Sequence, residues 1–487
     1  MPRRTAQLLA LALALGACGG GHDGAPARTS TAAPDGTPAG TASAAPAPAA
    51  RARVRDWPTF GGNPQRTSAT DAATGVTAAN VGRLRRRRVR LPGTVDSAPI
   101  YLHRVDVAGA ERNVLVMTTT YGRTLAVDAA DGRILWTFTP PGYGSWAGSY
   151  RITQASPTAD SDRAHVFAAS PDGRVHRLDL ATGRESPGWP VTVTRDPAHE
   201  KLTSSFNLVG GRLIVATGGY LGDAPPYQGH VVSLDPSSGR IRAVFNALCS
   251  NVRRIQDPRS CGSDFAAVWS RAGAVATGHG TLLVATGNGP YDGRRDWGDS
   301  VLELADRDLS LRHHWTPPDQ AQLEASDADL GSVSPVVVPG GVLQSGKAGR
   351  IDILSSTLRP RGRIPNPGST AMFSHPAVWR HGGAVTVFAT TGTVTAAYAW
   401  RGGRLLRLWA APRGGTSPLV AGGLLYVYDL GGALVVRSPR TGRVLATLPA
   451  GQGHWNSPVV ADGVVALPEG DGNDHSEDGV LNLYRLP

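Results

Sequence analysis

The chain has 487 residues, and its 49 Lys and Arg against 38 Asp and Glu give a formal net charge of +11 at neutral pH. Aromatic residues make up 6% of the sequence, too few to predict a surface of stacked bases, which argues against a nucleic acid as partner. Lysine occurs only at Lys201 and Lys347, so nearly all basic side chains are arginines. This uniform choice indicates a compositional bias rather than a basic patch built for a polyanion.

The N-terminal 17 residues predict a signal peptide. Arg3 and Arg4 precede an apolar run at residues 8–15 that is too short to span a membrane. The sequence Leu15-Gly-Ala-Cys18 resembles the lipobox of bacterial lipoproteins, which implies cleavage before Cys18 and a lipid on its thiol. The alternative is an ordinary signal peptide with an unrelated cysteine. Residues 18–52 are rich in Ala, Pro, Thr and Gly and predict a tether, which leaves 53–487 as the folded domain.

A repeated phrase indicates the fold class. It consists of an apolar strand, an Asp, a tight turn that ends in Gly-Arg, and a second apolar strand, a pattern typical of a β-hairpin. The copies contain Asp128 to Arg133, Asp179 to Arg184 and Asp235 to Arg240, and a diverged copy runs from Ser438 to Arg443. Such recurrence is typical of a repeat architecture.

A second marker, a small polar residue followed by Pro or another small residue, gives the number of repeats. Its late copies recur about every 40 residues, the length that four strands and their turns require. The sequence therefore predicts an all-β, eight-bladed propeller of four-stranded blades. The eight copies begin at Ser97, Ser156, Ser204, Trp269, Ser334, Ser374, Ser417 and Ser457.

The last repeat is too short for four strands, so a strand near 83–91 is expected to complete it and close the ring. This segment contains a run of arginines, which either protects an exposed sheet edge or contacts an anionic surface. Cys249 and Cys261, which are 12 positions apart, are expected to form a disulfide in an oxidising compartment.

From residue 56 onward, the chain resembles the quinoprotein-type eight-bladed propellers. The resemblance rests on the entry segment Asp56-Trp-Pro-Thr-Phe-Gly-Gly-Asn63 and on the Gly-Arg hairpins with the trailing Trp136. This family includes the alcohol dehydrogenases that depend on pyrroloquinoline quinone (PQQ), and its relatives include non-catalytic lipoproteins that assist outer-membrane protein assembly.

The resemblance implies a set of site residues at the mouth of the channel in blades 3 to 5. Trp269 would form the floor under the quinone, and Lys347 would reach the quinone oxygens. Asn288, Asp327 and Asp329 would bind the metal, Ca²⁺ or a lanthanide, and Asp327 would also be the catalytic base. Carboxylate and amide oxygens are the ligands that such hard cations take.

One position departs from the family in a way that affects the chemistry. Tyr220 stands where the family has a metal-binding Glu, and a neutral phenol is a poor replacement for a carboxylate on Ca²⁺. If the site is retained, Tyr220 is expected to point into it. Two functions therefore remain open: a non-catalytic module that binds a ligand or an envelope protein, which we favour, and a divergent PQQ-dependent dehydrogenase of small alcohols. Both imply a protein of the bacterial cell envelope.

Overall fold

The computed structural model describes residues 55–220 and 224–487, so the predicted signal peptide, the tether and Cys18 lie outside the described residues. Within the described residues the predicted architecture is confirmed, because eight sheets follow one another along the chain, and each contains the four strands of one propeller blade. Ala69–Thr70 adds a short fifth strand, parallel to Leu419–Ala421, to one of these sheets. Gln320–Ala325 is the one α-helix that lies entirely within the described residues. None of the helices described there is long and apolar enough to cross a membrane.

The blades are numbered here in chain order, and each strand of a blade pairs with the next. The strands are Ile100–Val107, Ala110–Thr118, Thr124–Asp128 and Ile134–Phe138 in blade 1; Thr158–Ala159, His165–Ser170, Arg174–Asp179 and Val191–Thr192 in blade 2; Asn207–Val209, Arg212–Ala216, His230–Leu234 and Ile241–Asn246 in blade 3; and Val275–Ala276, Thr281–Ala285, Val301–Ala305 and Leu311–Trp315 in blade 4.

The second half of the ring repeats this order. The strands are Val336–Val338, Gly341–Ser345, Arg350–Ser355 and Pro360–Pro365 in blade 5; Ala377–His381, Ala384–Thr390, Val394–Arg401 and Arg404–Pro412 in blade 6; Leu419–Ala421, Leu424–Asp429, Ala433–Arg437 and Val444–Pro449 in blade 7; and Val459–Ala461, Val464–Pro468, Gly479–Arg485 and Arg85–Leu91 in blade 8. Short 3-10 helices lie at Val81–Arg83, Tyr143–Ser145, Pro258–Ser260, Leu330–Ser332, Pro367–Ser369 and Asp471–Asn473.

Blade 8 is assembled from two distant parts of the sequence. Its outer strand, Arg85–Leu91, pairs antiparallel with Gly479–Arg485 over seven residues. Arg86 on this strand donates to Asn482 and forms an ion pair with Glu469, and Arg90 pairs with Asp478. At least these two arginines are thus tied to carboxylates of their own blade.

The Gly of the repeated hairpin contacts a Trp of the preceding blade. A Cβ on Gly183 would lie 2.6 Å from the ring of Trp136, and the indole N–H of Trp136 donates to the carbonyl of Leu180. The same arrangement joins blades 6 and 7, where a Cβ on Gly442 would lie 2.7 Å from Trp409. These turn glycines also have φ near 70°, so two independent constraints select glycine in the repeat.

The marker residues form a ring around the channel axis. The backbone N–H of Ala98 donates to Ser156 Oγ, that of Ser156 to Ser205 Oγ, and Ser270 Oγ lies 2.6 Å from Ser334 Oγ. Farther round, the N–H of His375 donates to Ser417 Oγ, and Ser457 Oγ to the carbonyl of Ser417. A small polar residue recurs because it bonds the innermost segment of the neighbouring blade.

The segment 56–74 runs beneath the blades from one inner strand to the next. Its carbonyl groups accept backbone hydrogen bonds from blades 2, 4, 6, 7 and 8, and Trp57 forms a bridge with Tyr101 of blade 1. Phe60 from this segment packs with Ala98 and Ala272 in a small apolar cluster. We call residues 56–74 the basal strap, because it ties most of the ring together.

Candidate functional site

The topology brings the sequence-predicted residues to one end of blades 4 and 5. Trp269 precedes the first strand of blade 4, and Asn288 follows the second strand. In blade 5, Asp329 precedes the first strand and Lys347 follows the second. Because adjacent strands of a blade are antiparallel, the start of the first strand and the end of the second lie at the same edge. Asp327 reaches this edge through the helix Gln320–Ala325.

Four of the predicted residues form one hydrogen-bonded cluster. Lys347 Nζ lies 2.7 Å from Asp327 Oδ1 and 2.6 Å from Asp329 Oδ2. Asn288 donates through Nδ2 to Asp327 Oδ1 at 2.8 Å and through its backbone N–H to Asp329 Oδ1 at 2.7 Å. Lys347 Nζ also lies 5.9 Å from the ring centre of Trp269, within the range of a cation–π contact. We call these five residues the Lys347 cluster.

The two carboxylates of the cluster differ in burial. The side chain of Asp327 is 61% exposed, whereas that of Asp329 is 11% exposed. Burial raises the pKa of Asp329, and the charge of Lys347 offsets part of this effect. Burial would lower the pKa of Lys347, but the charge of Asp329 and hydrogen bonds to both carboxylates raise it. Lys347 therefore stays protonated at neutral pH.

Local backbone features hold the cluster together. A Cβ on Gly287 would lie 2.3 Å from Asp329 Oδ1, so only glycine lets the Thr286-Gly287-Asn288 turn approach the carboxylate this closely. Asp327 itself adopts φ of 50°, a left-handed conformation that Asp tolerates better than most residues.

Asp299 is a carboxylate beside the cluster that the resemblance did not single out. Its side chain is fully buried, and Oδ1 accepts the backbone N–H of Leu330. Burial raises its pKa to about 7, and the charge of Asp329 adds to the rise. Asp299 thus supports the loop that presents Asp329.

Tyr220 is not observed beside the Lys347 cluster. Its hydroxyl donates to the carbonyl of Pro197 at 3.2 Å, and its ring packs with Tyr121, Trp146 and Ile152. The apolar packing explains this placement, because a phenol buried with other aromatic rings loses less than a phenol placed among carboxylates. The position of the family's metal-binding Glu therefore contributes no ligand to the cluster.

The donor set of the cluster fits a lysine ammonium better than a metal ion. A hard cation such as Ca²⁺ takes six to eight oxygen ligands. Here Lys347 already stands between the two carboxylates, and Asn288 turns an N–H toward Asp327. Asn288 Oδ1 is buried without a hydrogen-bond partner in the described residues, and so is Oδ2 of the neighbouring Asp299, so two oxygens are left for an ion, fewer than Ca²⁺ takes. The residues present do not fit the quinone–metal pair that the resemblance implies.

A second polar group, which the sequence analysis missed, lies near the channel axis. It consists of Asp96, Gln154, Lys201, Arg271 and Trp455, from blades 1, 2, 3, 4 and 8, and we call it the axial cluster. Gln154 accepts from Lys201 at 2.6 Å and from Arg271 at 3.2 Å, and it donates to Asp96 at 2.5 Å. The signal in the sequence is that Lys201, like Lys347, is one of only two lysines in the chain.

Rings connect the two clusters across the channel. Phe373 lies 6.3 Å from Trp269 and 5.8 Å from Trp455, measured between ring centres. Arg271 places its guanidinium carbon 4.4 Å from the ring centre of Trp455. The disulfide Cys249–Cys261 is confirmed as well, with the two Cα atoms 5.9 Å apart.

Comparison with known proteins identifies relatives of two kinds. The family described as outer membrane protein assembly factor BamB matches residues 65–257. A segment of 134 residues, 26% of this chain, is 28% identical to the dehydrogenase subunit of alcohol dehydrogenase (quinone) from Komagataeibacter europaeus and spans only 18% of that protein.

Solved structures are similar to this chain over most of its length. The quinohemoprotein alcohol dehydrogenase from Comamonas testosteroni superposes with a TM-score of 0.68 at 17% identity, over 89% of this chain and 81% of that chain. BamB from Moraxella catarrhalis superposes with a TM-score of 0.53 at 14% identity, over 82% of this chain and 99% of that chain. At these identities the likeness concerns the fold.

Proposed function

We propose that this chain, an eight-bladed propeller of the quinoprotein type, is a non-catalytic binding module of the bacterial cell envelope. One observation carries the proposal: the ammonium of Lys347 lies 2.7 Å and 2.6 Å from the carboxylates of Asp327 and Asp329, where the resemblance puts a metal ion. With Lys347 between them, both carboxylates already have a positive partner. In this proposal the mouth of the channel in blades 3 to 5 contacts a ligand or an envelope protein.

A second candidate function is a divergent PQQ-dependent alcohol dehydrogenase. The observation in its favour is that Trp269, Asn288, Asp327, Asp329 and Lys347 come from two blades and still converge. In such an enzyme the cofactor would supply the redox chemistry, and Asp327 would accept the proton of the alcohol.

Lanthanide luminescence distinguishes the two functions, because Trp269 lies close enough to Lys347 to sensitise Tb³⁺ bound in its place. The binding-module proposal expects no sensitised emission from the wild-type site and a gain of emission in Lys347→Met, in which both carboxylates lose their partner. The double variant Lys347→Met/Asp329→Asn is the control and should lose the gained signal.

Reconstitution with PQQ and Ca²⁺ or a lanthanide provides the second readout. We expect no quinone absorbance to remain with the protein after desalting, and no dye-linked oxidation of alcohols. Retained quinone together with turnover that Asp327→Asn abolishes would overturn the proposal in favour of the dehydrogenase.

We further propose that the chain is exported and attached to a membrane through a lipid on Cys18. The signal-like N-terminus and the lipobox-like Leu15-Gly-Ala-Cys18 support this placement. Expressed in a bacterium, the protein should fractionate with membranes, whereas Cys18→Ala should release it. An unmodified Cys18 in the mass spectrum would contradict the anchor.

A further inference from the structure

Two cations are buried in the axial cluster with few partners. Lys201 is 6% exposed and Arg271 is 5% exposed, and both donate to the same neutral amide oxygen of Gln154. Arg271 Nε and Nη1 are buried and have no hydrogen-bond partner in the described part of the chain. A buried N–H group of a cation that makes no hydrogen bond destabilises the folded state, and such groups are rare in natural proteins.

The neighbouring carboxylate does not pair directly with either cation. Asp96 accepts from Gln154 and from His454 Nδ1 through Oδ2, and from the backbone N–H of Trp455 through Oδ1. Burial would raise the pKa of Asp96, but the hydrogen bond and charge of His454 and the charge of Arg271 lower it. The group therefore holds Lys201 and Arg271 against one carboxylate, which leaves one positive charge in excess while Lys201 is protonated.

A cavity borders this group at His454 and Trp455, and Lys201 and Arg271 themselves do not line it. It has a volume of about 200 Å³ and is lined by Phe373, Thr391, Leu430, His454 and Trp455, among other residues. His454 and Trp455 are the residues that hold Asp96 and stack under Arg271. The cavity thus combines aromatic walls with polar groups at the edge of a positively charged cluster.

We propose that Lys201 and Arg271 bind an oxyanion, that is a carboxylate, sulfate or phosphate group, at the channel axis. Such a group would accept from the free N–H groups of Arg271 and from the ammonium of Lys201, and it would neutralise the excess charge. The site is separate from the Lys347 cluster, where two carboxylates already satisfy the cation. The inference deepens the proposed binding function by naming a ligand class, and in that respect it rests on that function.

Calorimetric titration of the full chain at pH 6 and low ionic strength tests the proposal. The probes are sulfate, phosphate and benzoate, and we expect at least one of them to bind with a Kd below about 1 mM. Binding of the inorganic anions alone would identify a free oxyanion as the ligand, and binding of benzoate alone would identify an organic acid that uses the aromatic walls. Either pattern supports the inference.

Two variants test the residues, and a third is the control. Arg271→Gln and Lys201→Met should each weaken binding at least tenfold. Arg361→Gln removes an exposed guanidinium from the outer strand of blade 5 and should bind like the wild type. Melting curves without anion show that the variants fold, and Lys201→Met should melt at or above the wild-type temperature because it removes a buried charge.

Two results would overturn the inference: a Kd above about 1 mM for all three anions, or unchanged binding in both Arg271→Gln and Lys201→Met. Quinone retention with turnover would instead overturn the proposed function and leave the oxyanion result standing. The two failures are therefore distinguishable.

Discussion

The guanidinium of Arg66 donates a hydrogen bond of 2.6 Å to the carbonyl oxygen of Phe206, joining the basal strap to the start of blade 3. Arg66 is fully buried and also donates to Thr59 Oγ1 and to the carbonyl of Phe60. Burial lowers its pKa to about 9, so the side chain is still protonated at neutral pH. This single side chain connects two turns of the strap to the ring.

Arg66→Ala should lower the free energy of unfolding by about 2–5 kcal/mol, because it creates a cavity and leaves buried carbonyl groups without a donor. Denaturant titration measures the change. Arg55→Ala is a matched control, since Arg55 is exposed and forms a surface ion pair with Asp462; its loss should cost less than about 1 kcal/mol. Equal effects of the two substitutions would contradict the role assigned to Arg66.

Lys347→Met should destabilise the protein by about 1–3 kcal/mol, because it leaves the largely buried Asp329 without its cation. Asp327→Asn should cost less than about 1 kcal/mol, since Asp327 is mostly exposed and its amide can still bond Lys347. Chemical denaturation of both variants gives the comparison. The reverse order of effects would show that Asp327, rather than Asp329, is the main partner of Lys347.

Sulfate binding should weaken about tenfold between pH 6 and pH 8, because burial and, to a smaller extent, the charge of Arg271 lower the pKa of Lys201 to about 7. Of the two forms of Lys201, only the protonated one attracts the anion, and the charge of sulfate is constant in this pH range. Lys201→Met should remove this dependence. Other titratable or charged groups around Lys201 are Asp96, Tyr220, Arg271, His454 and His475.

The same shift predicts how stability depends on pH in the absence of anion. Between about 7 and 10.5, unfolded Lys201 binds a proton that the folded form does not bind, so the contribution of this group to the free energy of unfolding rises with pH. The difference between wild type and Lys201→Met should therefore shrink as pH rises through this window. If the difference in the free energy of unfolding between the two proteins does not vary with pH, the pKa of Lys201 is not lowered in the folded state.

The disulfide should stabilise the chain through the loop that it closes. The two cysteines are 12 positions apart, which predicts a loss of about 2–3 kcal/mol when both are replaced by serine. Denaturant titration of Cys249→Ser/Cys261→Ser measures it. Wild-type protein unfolded in the presence of a reductant should match the variant, and a variant as stable as the oxidised wild type would contradict the prediction.

The repeats predicted the ring because each blade must satisfy the same local constraints. The Gly-Arg hairpins are visible in the sequence since Gly183 must both take a positive φ and accept the ring of Trp136. The convergence of Asn288, Asp327 and Lys347 was predicted from the resemblance to the quinoprotein-type propellers, not from the repeats themselves. The ion pairs of Lys347 could not be predicted, because whether the two carboxylates bind a metal ion or the ammonium of Lys347 depends on distances of a few ångströms.

The axial cluster was harder to anticipate. Asp96, Gln154 and Arg271 each lie within two residues of a marker, and nothing in the sequence around one marker indicates that a neighbour across the axis carries the complementary group. Tyr220 was misplaced for a related reason, since its apolar partners Tyr121 and Trp146 come from the region of blade 1 and the loop after it. Which residues of different blades meet depends on how the blades are arranged around the propeller axis, and the repeat pattern in the sequence does not give this arrangement.

The composite eighth blade has a consequence for how the ring can be made in the cell. The strand Arg85–Leu91 emerges from the ribosome early but finds its partner, Gly479–Arg485, only when almost four hundred further residues have followed. Until then the face of blade 1 that packs against blade 8 remains uncovered. If a chain crosses a membrane as an unfolded polypeptide, these two strands can pair only after the whole chain has been translocated.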